Sequence, residues 1–471
     1  MSEATSYVDS SSATTDTSAT AGFGWIAIFR LGLVQTCFGA IVVLMTSTMN
    51  RVMTVELMLP AMLPGALVAL HYFVQLSRPG FGHASDRTGR RSPWVLLGLA
   101  ILAGGAVLAA TATAVLETQS FWGTVLAVGA FGLIGAGVGA GGTSLLALLA
   151  AEVPASRRAA AGCIVWIMMI TGFVATTILA SSFLDPFSTG RLILVTASVS
   201  GLALIVATLA LTGLEPRREH AAAGRLEPDT VSSEDGALAS FRAALGSVWN
   251  DAKARQFTTF VFVSMLAYSA QDLILEPFAG LVFDMTPGES TRLSGTQHQG
   301  VLLGMIMIAF IGTRFAGTWL GSLRFWTVTG CMGSAAALVL LAVASYQGPP
   351  WPVERSVFLL GLANGMFAVA AIARMMALAG AGPQGQEGVR MGMWGAAQAI
   401  AFALGGFLGT ATYDLMKLVG FADSGSYALI FAGEAAIFLV AAYLASRIES
   451  LNKPAGVRTE LRRNATWRLQ S

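Results

Sequence analysis

Gly82-His83-Ala84-Ser85-Asp86-Arg87-Thr88-Gly89-Arg90-Arg91 is a short charged stretch between two long apolar runs. Gly89 allows a tight turn, and Asp86 lies within reach of several guanidinium groups. Arginine can bind a carboxylate bidentately, so such a loop can latch neighbouring helix ends in one conformational state. Gly82, Asp86, Arg87, Gly89, Arg90 and Arg91 are therefore candidate latch residues. The plainer alternative is a basic loop that only fixes topology.

What surrounds this loop is overwhelmingly apolar. The 471 residues are 55% hydrophobic and 11% charged, against about 25% charged in a soluble domain. The mean hydropathy is +0.67. A soluble protein of this size is excluded, because its surface needs those missing charges. With 28 Lys+Arg against 26 Asp+Glu, the net charge of +2 leaves no basic footprint for nucleic acid. The cysteines, Cys37, Cys163 and Cys331, are odd in number and each sits in an apolar run. They read as small core hydrophobes. No His, Cys and carboxylate cluster has metal-ligand spacing.

A spanning helix needs about 20 mostly apolar residues. Twelve runs qualify, near 27–49, 55–77, 93–116, 122–151, 159–183, 190–213, 257–283, 299–321, 325–346, 356–379, 390–413 and 427–447. The chain is thus expected to be an all-α polytopic membrane protein. Residues 1–26 form a Ser/Thr/Ala-rich tail expected to be disordered. Two six-helix halves follow, 27–214 and 257–447, joined by a polar linker, 215–256, with a second tail at 448–471. This layout, with a G-x-x-x-D-R-x-G-R-R loop between runs two and three, resembles the major facilitator superfamily. The second half has a decayed counterpart of the loop, in which Arg314 and Arg324 flank Gly317 and Gly321 without an Asp-Arg pair.

With both termini cytoplasmic, the outer loops would hold only Arg51, Arg191, Arg292, Arg355 and Lys417, five of the 28 basic residues. The positive-inside rule favours that orientation.

Polar groups inside the spans are functional candidates, since burying them in lipid is costly. Run seven carries Gln271, Asp272 and Glu276, then Pro277. Asp272 and Glu276 are four apart and share a helix face. They either face a central cavity or mark a wet helix end before the polar segment after Asp284. His71, the one histidine inside an expected span, begins a stripe with Gln75 and Arg78. It is a candidate magnesium ligand for a chlorin, or a hydrogen-bonded helix contact. Asn364, Gln398 and Glu434 complete the intramembrane polar set. In run four, Gly135/Gly139 and Gly137/Gly141 are small-xxx-small pairs that permit close helix packing, as are Gly405 and Gly409 in run eleven. Run four has no Arg or Lys, and run five no Gly-Pro pair. Proton-coupled members of the superfamily that the layout resembles often carry an arginine in run four, and its antiporter branch a Gly-Pro pair in run five, so the resemblance implies that this chain is not an ordinary proton-driven efflux pump.

Three stretches resemble the PucC family, the bacteriochlorophyll-delivery branch of that superfamily. They are Thr48-Met49-Asn50-Arg51-Val52-Met53-Thr54-Val55-Glu56-Leu57, Gln271-Asp272-Leu273-Ile274-Leu275-Glu276-Pro277-Phe278-Ala279-Gly280 and Met391-Gly392-Met393-Trp394-Gly395-Ala396-Ala397-Gln398-Ala399. Asn364-Gly365 and Trp166-Ile167-Met168-Met169 extend the likeness. Arg30-Leu31-Gly32-Leu33-Val34-Gln35-Thr36 is similar to the subgroup called a bacteriochlorophyll synthase-associated chain. The resemblance implies a multi-pass protein of a bacterial inner (intracytoplasmic) membrane. It implies bacteriochlorophyll or a precursor as bound cargo. The partners it implies are lipid, pigment, light-harvesting or reaction-centre apoproteins, and bacteriochlorophyll synthase. The alternatives are a secondary transporter of a small solute, with Asp272 and Glu276 as coupling groups, and a non-catalytic accessory subunit of the synthase. No nucleophile–base pair or Asp-rich diphosphate motif points to an enzyme.

Overall fold

The computed structural model describes residues 23–78, 81, 85, 90–215, 246, 249–315, 318–380 and 387–448. Among these, twelve main helices follow one another. They are α1 (Trp25–Glu56), α2 (Met62–Ser77), α3 (Ser92–Leu116), α4 (Ser120–Glu152), α5 (Ala155–Leu184), α6 (Thr189–Leu211), α7 (Ala252–Phe283), α8 (Pro287–Arg314), α9 (Leu323–Gln347), α10 (Val353–Gly380), α11 (Glu387–Leu418) and α12 (Asp423–Arg447). Ten are long and apolar enough to cross a membrane. The other two are α2, which is short, and α8, whose first half is polar.

Helix contacts obey a simple rule. Within the first half α1 packs on α5 and α6, α3 on α4 and α6, and α2 on α4. Adding six to each label gives the main contacts of the second half. The halves meet through α5 against α8 and α11 against α2, which are again equivalents. The internal duplication that the loops barely suggest is therefore plain in the packing. Each half has its own core, and a third apolar cluster lies where α5, α8 and α10 meet.

Glycines set the closest approaches. A Cβ on Gly137 would lie 2.5 Å from the Leu102 nitrogen and 2.6 Å from the Gly98 oxygen, so α3 and α4 touch backbone to backbone. A Cβ on Gly135 would lie 2.6 Å from the His71 oxygen, which seats α4 on α2.

Twelve antiparallel passes put the start of α1 and the ends of α6 and α12 on one face, here the terminal face, with the turns α1–α2 and α7–α8 on the opposite face. On the terminal face arginines hold helix C-termini, where carbonyls lack partners and the dipole is negative. Arg30 donates to the Ala210 and Thr212 carbonyls at 2.9 and 2.5 Å, and Arg374 to Ile448 at 2.8 Å. Arg324 donates to the Ser446 carbonyl.

The structure moves several expected boundaries. Hydropathy puts run eight at 299–321, but α8 spans Pro287–Arg314. The polar segment after Asp284 is its first half, opened by a capping box between Thr286 and Glu289. Its polar side chains Thr291, Ser294, Gln297 and His298 are buried in protein, so average hydropathy misjudges them. His71 is therefore not the sole histidine within a helix; His298 lies midway along α8. Helix α1 continues to Glu56, past the expected limit at 49, through π-helical turns at Leu44–Met49 and Val52–Glu56. Arg51, expected in an outer loop, is 2% exposed. Glu215, the first residue of the expected linker, accepts the Arg91 and Ser92 backbone N–H groups, both at 2.9 Å, at the start of α3. Helix α7 begins at Ala252, before the expected 257.

Candidate functional site

Pro277 lies inside α7 and has no N–H, so the Leu273 carbonyl four residues earlier loses its helical donor. Asn50 of α1 fills the gap, donating its side-chain amide to that carbonyl at 2.6 Å. Beside it Arg51 donates to Glu56 at 2.5 Å and to the Met285 carbonyl at 2.6 Å. A Cβ on Gly280 would come 3.1 Å from the Arg51 guanidinium, so glycine makes room for it. The first two resemblance stretches are thus two sides of one interface between the halves.

Glu276 is 1% exposed in this interface. Ser47, Thr291 and Ser294 lie beside it, and the Arg51 charge acts on it. The hydroxyls pair elsewhere, Ser47 with Ser294 at 3.0 Å and Thr48 with Thr291 at 3.1 Å. Neither Glu276 oxygen has a hydrogen-bond partner, and one O–H of each hydroxyl pair remains to donate to it after a small rotation. This is a buried carboxyl, not the wet helix end that the sequence left open.

One turn deeper, Asp272 stands eleven residues from the end of α7. At 1.5 Å per residue that is about 16 Å, half a bilayer core. It lines a small cavity between the halves with Thr46, Val68, Tyr72, Ser269, Leu273 and Phe402. The wall is aromatic: Tyr72 stacks on Phe402 at 5.1 Å, and Tyr268 meets Phe402 edge-on at 6.0 Å. Asp272 Oδ1 has no hydrogen-bond partner. Glu434 of α12 is buried, both its oxygens are unpartnered, and it lies within electrostatic range of Asp272. Gln398 is half-buried one turn before Phe402 on α11.

Gln271 and Asn364 belong to a separate network inside the second half. The Asn364 amide donates to Gln271 at 2.8 Å, and Ser334 donates to Asn364 at 2.7 Å. Their polar atoms hold α7, α9 and α10 together and do not face the Asp272 cavity wall.

Below the cavity, His71, Gln75 and Arg78 form the expected stripe. The Gln75 amide donates to His71 Nε2 at 2.8 Å, and Arg78 donates to Gln75. His71 is 1% exposed, and its Nδ1 lacks a partner. In this conformation Gln75 occupies the ring nitrogen that would otherwise offer a lone pair. Of the latch candidates, Gly82, Asp86, Arg87 and Gly89 lie outside the described residues. Arg90 is exposed, and its charge acts on Glu215.

Two further ties close the opposite face, and neither was foreseen. Asp185, at the end of α5, accepts from the Thr286 hydroxyl at 2.7 Å and the Gly288 N–H at 3.1 Å, at the start of α8. Asp414, near the end of α11, accepts the Ala61 and Met62 N–H groups at 3.0 and 2.7 Å, at the start of α2. Each is a carboxylate of one half on a helix N-terminus of the other. They are equivalent under the sum-by-six rule.

The cavity has room for about one water-sized group beside its aromatic wall, and the two carboxylate ties join the halves at the opposite face. Among the described residues no group of three or more His, Cys, Asp or Glu is placed to hold a metal.

A D-xylose–proton symporter superposes on the chain with a TM-score of 0.66 at 16% identity, over 90% of this chain and 98% of that one. That likeness shows the major facilitator fold alone. The chain is 48% identical over 436 residues to the bacteriochlorophyll synthase 44.5 kDa chain of Rhodobacter capsulatus, covering 93% of this chain and 98% of that one. It is 28% identical to the protein PucC of Cereibacter sphaeroides, over 87% and 88% of the two chains. A family model described as PUCC protein matches residues 48–452. With most of its length inside that match, the chain belongs to the PUCC protein family.

Proposed function

We propose that this protein carries bacteriochlorophyll, or a precursor of it, within the membrane, in support of pigment synthesis and the assembly of light-harvesting or photosystem complexes. The observation that carries the proposal is the 48% identity, over nearly the whole of both chains, with a protein named as a bacteriochlorophyll synthase chain. In this reading the protein is not itself catalytic and works beside the synthase or the pigment-binding apoproteins. Its place is a bacterial inner membrane, with the terminal face cytoplasmic. An insoluble pigment gains from an apolar groove that excludes water, and the aromatic interface between the halves supports that role.

The test is purification of the detergent-solubilised protein from pigmented membranes, with mass spectrometry of bound pigment and protein. A magnesium tetrapyrrole and the synthase or an apoprotein should co-purify, and a deletion strain should accumulate less pigment–protein complex. Absence of bound pigment together with normal complex assembly in the deletion strain overturns the proposal.

A second reading is favoured by one observation, the unpartnered Asp272 oxygen in a cavity between the halves. It makes the protein a solute transporter coupled through Asp272 and Glu276. Asp272→Asn with Glu276→Gln should then abolish gradient-driven flux in vesicles, and retained flux removes the coupling role.

A further inference from the structure

The cavity at Asp272 offers acceptors and almost no donors. The Thr46 hydroxyl spends its proton on the Val42 carbonyl at 3.3 Å. The Ser269 hydroxyl spends its own on the Ala401 carbonyl at 3.2 Å. A hydroxyl has a single proton and keeps lone pairs once that proton is used, so both oxygens remain acceptors. Asp272 Oδ1 adds a third, fully buried and without a partner. Of the lining side chains only Tyr72 has an O–H left over, and it makes no hydrogen bond to Asp272 among the described residues.

Charge points the same way. No basic side chain among the described residues acts on Asp272. Its acidic neighbour Glu434 is buried with both oxygens unpartnered, and no basic side chain acts on it either. A buried carboxylate without a counter-charge is costly. A water molecule would occupy the lone pairs and leave that charge unbalanced, whereas a cation answers both needs. The room for about one water-sized group excludes an organic amine. Magnesium keeps several of its waters, and calcium takes about six to eight oxygen ligands, more than are gathered here. A small monovalent cation is what remains.

The backbone is irregular at the same level. Thr46 lies in the π-helical turn Leu44–Met49 of α1, and Pro277 interrupts α7 just beyond Asp272. Interrupted helices that meet at the midplane between repeats are where membrane transporters coordinate sodium, and π turns are frequent at functional sites. Asp272 is half-buried and only one of its oxygens is fully buried, so an ion has a way in and water can complete its shell on that side.

We propose that this cavity binds a partly dehydrated sodium ion, held by Asp272 and Ser269 of α7 and Thr46 of α1. Thr46 belongs to the first half and the other two to the second, so the ion joins the halves. A ligand shifts a protein towards the arrangement that binds it better. Bound sodium therefore favours the arrangement in which α1 and α7 meet. The inference stands with either reading of function above, because a pigment carrier and a solute transporter both depend on how their halves are placed.

The test uses the purified full-length protein in detergent at fixed pH, in sodium chloride or in choline chloride of equal ionic strength, choline being too large for the cavity. Radioactive sodium should bind the wild type saturably, one ion per chain. Asp272→Asn should weaken that binding by about tenfold or more, and Thr46→Val and Ser269→Ala should each weaken it by a smaller factor. A wild type without saturable sodium binding overturns the proposal, and so does undiminished binding in Asp272→Asn. Both outcomes leave the pigment test above untouched. Should the variants not fold, the wild type decides the matter. A hydrophobic carbodiimide modifies buried carboxyl groups, and mass spectrometry should find Asp272 modified more slowly in sodium than in choline. Equal modification in both salts means that Asp272 holds a proton there, and overturns the proposal.

Discussion

Asn50 supplies the hydrogen bond that Pro277 withholds. The proline sits in α7 and the asparagine in α1, and they meet at the Leu273 carbonyl. The helix break and its repair thus lie on opposite sides of the interface between the halves.

This relationship predicts non-additive stabilities. Asn50→Ala should cost about 1–3 kcal/mol, because it leaves a buried carbonyl unpaired. Pro277→Ala lets residue 277 donate to Leu273 itself. In that background Asn50→Ala should cost about 1 kcal/mol less, as a double-mutant cycle of thermal unfolding in detergent would register. Equal costs in both backgrounds would mean that the two residues are not coupled.

The paired ties of Asp185 and Asp414 join the two halves at the opposite face, and loosening them should open that face. A carboxylate on a helix N-terminus contributes about 1 kcal/mol. Asp185→Asn with Asp414→Asn, at about 1 kcal/mol each, should therefore raise the open fraction by about thirtyfold. A cysteine placed at Thr46, in a chain otherwise free of cysteine, should be labelled faster by a membrane-impermeant maleimide in the double variant. Each single variant should show a smaller rise. Unchanged labelling would remove the gating role.

Glu215 makes a pH-dependent contribution at the terminal face. Burial alone would raise its carboxyl, but the Arg91 and Ser92 N–H groups and the Arg90 charge outweigh that and hold it below the usual 4.5. A depressed carboxyl stabilises the fold fully above its unfolded value and loses that contribution as pH falls through the folded value. Wild type and Glu215→Gln should differ in thermal midpoint at neutral pH and converge as pH falls through that depressed value. A difference that persists at low pH would refute the assignment.

His71 can be tested as a helix contact by isosteric choice. His71→Gln keeps an acceptor for Gln75 and should cost little. His71→Phe strands the Gln75 amide and should cost about 1–3 kcal/mol. Equal loss of bound pigment in both variants, with stability retained, would instead mark His71 as a ligand.

Most of the helices were legible because lipid-facing surfaces demand continuous apolar runs. Helix α8 was misplaced because its first half is turned inward, where polar side chains are buried against protein and hydropathy averages mislead. A local signal was available in Thr286-Pro287-Gly288-Glu289, a capping box with proline at the first helical position. Asp272 and Glu276 were recognisable as charges out of place, but their burial depended on where α8 begins. Asn50, Asp185 and Asp414 were not legible as functional groups. Their partners are backbone atoms more than 100 residues away, and backbone has no sequence signature.

The wide turns in α1 carry a consequence for comparing this chain with others. A π turn holds one more residue than the α turn it replaces. Winding Leu44–Met49 as ordinary α-helix with all its residues kept would swing everything beyond it by about 100° around the axis. Asn50 would then point away from Leu273 with its identity unchanged. The wide turn ahead of Asn50 is therefore as much a determinant of this interface as the asparagine. A relative that lost one position there could wind as ordinary helix and still present the same side chain to Leu273.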